Sequence, residues 1–120
     1  MASPTSAAET PAEFYGGKRL TLIIASGVGG GYDVYARSLA RFYGRHVPGN
    51  PSIVVQNMDG ASGLEATNYV ANKVPRDGSV ILATYNSLLL QPLLDNSQVQ
   101  VMFDIPAMGW IGSKIGRAHV

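Results

Sequence analysis

The 120 residues carry nine Lys or Arg against eight Asp or Glu, a formal net charge of +1, and no cysteine. Such an even balance argues against the clustered basic surface that nucleic-acid binding needs, and the missing cysteines exclude disulfides and thiolate metal sites. With 46% hydrophobic and 14% charged residues the chain is globular rather than disordered, and its length allows one domain, near the lower end for an open α/β sheet.

Residues 1–13 are rich in Ala, Ser, Thr and Pro and read as a flexible lead-in. They have neither the basic n-region nor the apolar h-region of an intact signal peptide, and no apolar run in the chain is long enough to span a bilayer. The first ordered stretch is Thr21 to Arg37, TLIIASGVGGGYDVYAR. Leu22, Ile23 and Ile24 are a short apolar run suited to a strand covered on both faces. Gly27, Gly29, Gly30 and Gly31 then leave the backbone bare, free to adopt positive φ and to lie close to a ligand. Asp33 stands where a helix N-cap or first-turn acid belongs, and an amphipathic run follows from Val34. A strand, a bare turn and a helix N-terminus form an anion site, because the first N–H groups of the helix have no partners and its dipole favours negative charge.

Tyr35, Leu39, Phe42 and His46 recur on one helical stripe, and this stripe is expected to face the core, with Tyr35 packed in it. Arg37, Arg41 and Arg45 read as a solvated helix face, and His46 as a cation near the helix C-terminus. Pro48 to Pro51 ends the helix, and Ser52 to Gln56 is a second strand. Asn57 to Gly63 is a second small-residue turn. The helix after it places Leu64, Thr67, Ala71 and Val74 inward. Pro75-Arg76-Asp77-Gly78 is a turn, Ser79 to Thr84 a third strand, and Tyr85-Asn86-Ser87 its exit loop. Beyond it, Leu88 to Leu94 reads as a helical turn or two, and Val99 to Phe103 and Met108 to Ser113 as strands.

The order β-α-β-α-β with short loops predicts a mostly parallel sheet with right-handed crossovers. Ligands of such sheets bind outside the carboxyl ends of the strands. Loops 26–33, 57–63 and 84–87, all rich in small or polar residues, would converge there.

Several catalytic and nucleotide motifs fail on the residues present. The dinucleotide fingerprint fails because Tyr32 stands where Gly27-Val28-Gly29 requires a third glycine, and Gln56-Asn57 supplies no ribose-binding acid. The P-loop fails because Gly31-Tyr32-Asp33 holds no lysine. Leu64 breaks a nucleophile elbow at Gly60-Ala61-Ser62-Gly63. The acids are scattered, no metal-ligand spacing occurs, and the histidines, His46 and His119, have no placed partner. A binding protein without cofactor is favoured over an enzyme. The rival reading is a small α/β enzyme, or a nucleotide- or phosphate-binding domain, using the glycine-rich turn.

Three stretches in order resemble the Bug-type substrate-binding proteins of tripartite tricarboxylate transporters. Val28-Gly29-Gly30-Gly31-Tyr32-Asp33 with Ala36-Arg37 is similar to that family's first loop, Pro-Gly-Gly-Gly-Ser/Thr-Asp and Ala-Arg. Gln56 to Gly63 resembles its second loop, Glu-Asn-x-Pro-Gly-Ala-Gly-Gly, and Pro75 to Ser79 its Pro-Asp-Gly-Tyr-Thr turn. Phe103-Asp104 to Trp110-Ile111-Gly112-Ser113 also looks like the family, so the likeness runs from about Phe14 to Ser113. Two departures, Asp59 for proline and Tyr32 for a small hydroxyl residue, bear on ligand choice.

The resemblance implies a periplasmic two-lobed receptor that closes over a small carboxylate and delivers it to membrane permease subunits. A monomer is expected, without insertion of its own into the membrane. Residues 14–114 would be its first lobe, a periplasmic-binding-protein-like α/β unit truncated before the second lobe. Residues 115–120, which match one reading frame of a sequencing-adapter oligonucleotide, read as a non-native tail. Low stability and weak ligand affinity are expected of such a lobe alone. The implied ligand wall comprises Gly29, Gly30, Gly31, Tyr32 and Asp33, then Gly60, Ala61, Ser62 and Gly63, and finally Thr84, Tyr85, Asn86 and Ser87. Asp33 either caps its helix or receives a ligand ammonium group. Tyr32 and Tyr85 are candidates to point into the cleft.

Overall fold

Leu20, Leu22, Ile23 and Ile24 are buried on a strand whose only half-covered interior residue is Thr21, the pattern of a central parallel strand. In the computed structural model, which describes residues 8–88, that strand is β1 (Arg19–Ile24). It lies between β2 (Ser52–Asn57) and β3 (Val80–Ala83), in the order β2-β1-β3, and both pairings are parallel. The register sets Arg19 against Ser52, and Ile24 against both Asn57 and Ala83. The protein is therefore an α/β unit with an all-parallel open sheet.

Two helices cover the sheet on opposite faces. Leu22 and Ile24 pack with Ala36 of α2 (Gly31–Tyr43), joined by Ala40, Ile53, Val55, Ile81 and Ala83. Ile23 and Ala25 pack with Ala66 of α3 (Leu64–Lys73), joined by Met58, Val70, Val80 and Leu82. Since β1 leads outward to β2 and β2 leads back across β1 to β3, crossovers of one hand require helices on opposite faces. The strand order reverses between β1 and β3, and a doubly wound sheet opens its ligand crevice at that point.

The apolar stripe of α2 faces the other way from the sequence expectation. Tyr35 is 81% exposed, and Leu39, Phe42 and His46 are exposed as well. The face turned to the sheet carries Asp33, Ala36 and Ala40. Two causes act together. Small alanines let the helix axis approach the sheet closely, and the Asp33 carboxylate is drawn to partners at the end of β2, which sets the helix rotation. Arg41 and Arg45 are exposed as expected, and the Arg45 guanidinium lies 4.9 Å from the Phe42 ring centroid. His46 ends a 3-10 turn, Gly44–His46, that follows α2. On α3 the inward residues are Leu64, Ala66 and Thr67, with Val70 packed beside them, while Ala71 and Val74 are half-buried.

The end of the lead-in also departs from expectation. Pro11–Tyr15 forms a short helix, α1, closed by a capping box. The Thr10 hydroxyl accepts from the Glu13 N–H at 3.2 Å, and a Glu13 carboxylate oxygen accepts from the Thr10 N–H at 2.8 Å. The Tyr15 hydroxyl donates to the Gly78 carbonyl at 3.1 Å, so α1 is fastened to the turn that enters β3, at the end of the sheet away from the crevice. The segments expected at 89–94, 99–103 and 108–113, and the tail 115–120, lie outside the described residues. No helix among the described residues is long and apolar enough to cross a membrane.

Candidate functional site

All three strand-exit loops reach the carboxyl edge of the sheet, and their residues meet there. The first loop leaves β1 through Ala25 and Ser26 and enters α2 at Gly30, the N-cap. Gly29 has φ +88°, a left-handed conformation that the missing Cβ allows. No side chain caps α2 at Gly30, and the exposed Gly29, Gly30 and Gly31 leave the N–H end of the helix unshielded. The second loop enters α3 through an unusual turn. Ala61, Ser62 and Gly63 are left-handed in succession, with φ of 47°, 54° and 90°. The turn is closed by a bond from the Gly63 N–H to the Gly60 carbonyl at 3.0 Å. Gly63 is the N-cap of α3 and likewise carries no side-chain cap. Left-handed geometry costs a non-glycine residue roughly 1–2 kcal/mol. Ala61→Gly and Ser62→Gly are therefore each expected to raise the unfolding free energy, by about 1 kcal/mol in denaturant titrations.

The third loop closes the group. The Tyr85 ring meets the Tyr32 ring edge-on, centroids 4.6 Å apart at 73°, which joins the exit of β3 to the first turn of α2. Both tyrosines thus sit at the carboxyl edge of the sheet and pack on each other. Thr84 and Tyr85 also close against Gly63, since a Cβ placed there would come within 3.2 Å of the Thr84 hydroxyl and 2.8 Å of the Tyr85 ring. Asn86 and Ser87 are exposed in the turn closed by the Leu88 N–H to Tyr85 carbonyl bond at 3.1 Å. Two hydroxyls at this edge, Ser26 Oγ and Thr84 Oγ1, are buried and have no hydrogen-bond partner among the described residues. A buried hydroxyl left unpaired is costly, so such groups mark positions where a further polar partner fits.

Asp33 is placed differently from the glycines around it. It is 3% exposed and its carboxylate is engaged inside the fold. Oδ2 accepts from the Gly29 N–H at 2.9 Å, closing the first loop back on its own helix. Oδ1 accepts from Arg37 Nε at 2.9 Å and from Asn57 Nδ2 at 2.8 Å. Asn57 Nδ2 also donates to the Ser26 carbonyl at 2.9 Å, and its Oδ1 accepts from the Arg37 guanidinium. Asp33, Arg37 and Asn57 thus bind β1, β2 and α2 into one frame beneath the crevice. The Gly29 N–H holds the Asp33 carboxyl below the usual carboxylate range, helped by Asn57 and Arg37 and opposed by burial. Asp33 does not cap α2, whose N-cap Gly30 receives no side-chain bond; from the first turn its carboxylate reaches back to the Gly29 N–H and is occupied by Gly29, Arg37 and Asn57.

No model of a known protein family matches the chain. No curated protein matches it at a significant level either.

The spacing Asp33 to Arg37, four residues along one helix face, is the signal from which the ion pair was legible. The link of that pair to Asn57 was not, since it depends on the β1–β2 register. Among the described residues no group of three or more His, Cys, Asp or Glu gathers to hold a metal ion. The unshielded N-terminus of α2, the orphaned hydroxyls and the small residues beside them are suited to hydrogen-bonding an oxyanion.

Proposed function

We propose that the chain is a solute-binding lobe of the Bug type, holding a small carboxylate at the carboxyl edge of its sheet for delivery to the permease of a tripartite tricarboxylate transporter in the periplasm. One observation carries the reading. The uncapped N-termini of α2 and α3 reach the same edge, at the switch in strand order between β1 and β3, where the Ser26 and Thr84 hydroxyls lack partners among the described residues. The glycines that resemble the family's first loop leave the α2 end bare, and the small residues that resemble its second loop form the turn that enters α3. Binding rather than catalysis is supported by the occupation of the one buried acid among the described residues, Asp33, which already accepts from three donors inside the fold. A carboxylate oxygen, in contrast, matches the N–H and O–H donors on offer.

A thermal-shift panel at millimolar ligand tests the proposal. Di- and tricarboxylates are expected to raise the melting temperature in a concentration-dependent way, because a ligand that binds only the folded state stabilises it as its excess over Kd grows. Stabilisation by nucleotides or sugar phosphates instead would assign the crevice to phosphate, and a flat response to every class would remove the binding role.

A further inference from the structure

We infer that the crevice selects solutes that carry an ammonium group beside the carboxylate, with Asp59 as the residue that receives it; this rests on the solute-binding reading above. Asp59 is exposed in the second loop and makes no hydrogen bond or ion pair among the described residues. It lies against the first loop: a Cβ built on Gly27 would stand 3.3 Å from Asp59 Oδ2. Gly27 itself accepts, through its carbonyl, the N–H of Gly30, the N-cap of α2, at 3.4 Å. A free carboxylate and an unshielded helix N-terminus therefore share one short turn. The same turn begins at Ser26, which is 6% exposed with its hydroxyl unpartnered among the described residues.

The charge inventory of this edge points the same way. Arg37 is the only Lys or Arg in the described strand-exit loops or in the first two turns of α2 and α3, and it is already bound to Asp33 and Asn57. Glu65, in the first turn of α3, folds its carboxylate over Gly60 and adds a second acid with no ion pair among the described residues. Helix N–H donors attract one end of a ligand while two free carboxylates repel any further negative charge. A plain dicarboxylate satisfies the first and meets the second unfavourably. An amino acid satisfies both, its carboxylate at the helix end and its ammonium at Asp59. Asp33, already saturated inside the fold, has no part in this selection.

Aspartate and succinate share one carbon skeleton and differ by the amine, so NMR titrations of both against the whole chain test the inference. The native chain is expected to bind aspartate about tenfold more tightly than succinate, a preference worth about 1.4 kcal/mol. In Asp59→Asn the two affinities should draw together, with succinate binding more tightly than it does to the native chain. Equal affinities in the native chain, or a preference that survives in Asp59→Asn, would overturn the role of Asp59 while leaving carboxylate binding intact. If neither solute shifts the loop amides, the solute-binding reading falls and this inference with it.

Discussion

Gly63→Ala is expected to lower the unfolding free energy by about 2–4 kcal/mol, a large share of the stability of a small domain. Two costs combine. Gly63 has φ +90°, which any other residue adopts only under strain, and the added methyl would stand 2.8 Å from the Tyr85 ring and 3.2 Å from the Thr84 hydroxyl. Neither neighbour moves freely, because Tyr85 is packed edge-on against Tyr32 and the Thr84 hydroxyl is buried. The effect should therefore propagate to the first loop. Fluorescence or near-UV signals from the tyrosines should change along with the unfolding midpoint. Ser62→Gly, one residue earlier, is the control with opposite sign. A Gly63→Ala variant as stable as the native chain would mean that the three loops are not packed together as described.

Asp33→Asn is expected to lower the melting temperature more than neutralising either of the other two carboxylates held below their usual range among the described residues, by Glu13→Gln or Asp77→Asn. Glu13 and Asp77 each bond to a neighbour in their own turn, Thr10 and Ser79 respectively. Asp33 joins the first loop, its own helix and the end of β2, so its neutralisation leaves the Gly29 N–H, or the Arg37 Nε and Asn57 Nδ2 donors, without a carboxylate acceptor. An amide there also points a donor at donors. The pH dependence has a definite sign. A carboxyl whose folded pKa is depressed contributes stability that is fully present above the unfolded value, about 4, and is lost as pH falls through the folded pKa. The native chain should thus lose stability progressively below about pH 4, and Asp33→Asn should show a shallower loss there. An unchanged acid slope in Asp33→Asn would show that the frame beneath the crevice is not held by this carboxylate.

The three described strands and the helices between them were legible in the sequence because their signals are local. The run at Leu22 to Ile24, the breakers at Pro48 to Pro51 and the Pro75–Gly78 turn set the order of elements and their positions to within a few residues. The facing of α2 was misread for a physical reason. Tyr35, Leu39 and Phe42 have the period of a buried stripe, but alanines and an ion-paired aspartate proved to be the face that meets the sheet. Periodicity gives the stripe; the register of β2 against β1, which puts Asn57 beside the first loop, gives the rotation. The short helix α1 was legible and overlooked, since Thr10 and Glu13 spell a capping box within a stretch of otherwise unstructured composition. At the site, the glycines announced a bare backbone. The left-handed Ala61 and Ser62 could not be foreseen, because neither residue type favours that conformation. The Tyr32–Tyr85 contact joins residues that are remote in sequence and meet only when β3 returns beside β1.

The most direct test of carboxylate capture is an amide-resolved NMR titration of the chain with succinate, citrate and aspartate at millimolar concentration. The amides of Gly29 to Asp33, Gly60 to Gly63 and Thr84 to Ser87 are expected to shift together and saturably, while α1 and the turn at Gly78 stay fixed. Saturable shifts confined to other parts of the molecule, or no shifts with any carboxylate, would contradict carboxylate capture at the carboxyl edge of this sheet.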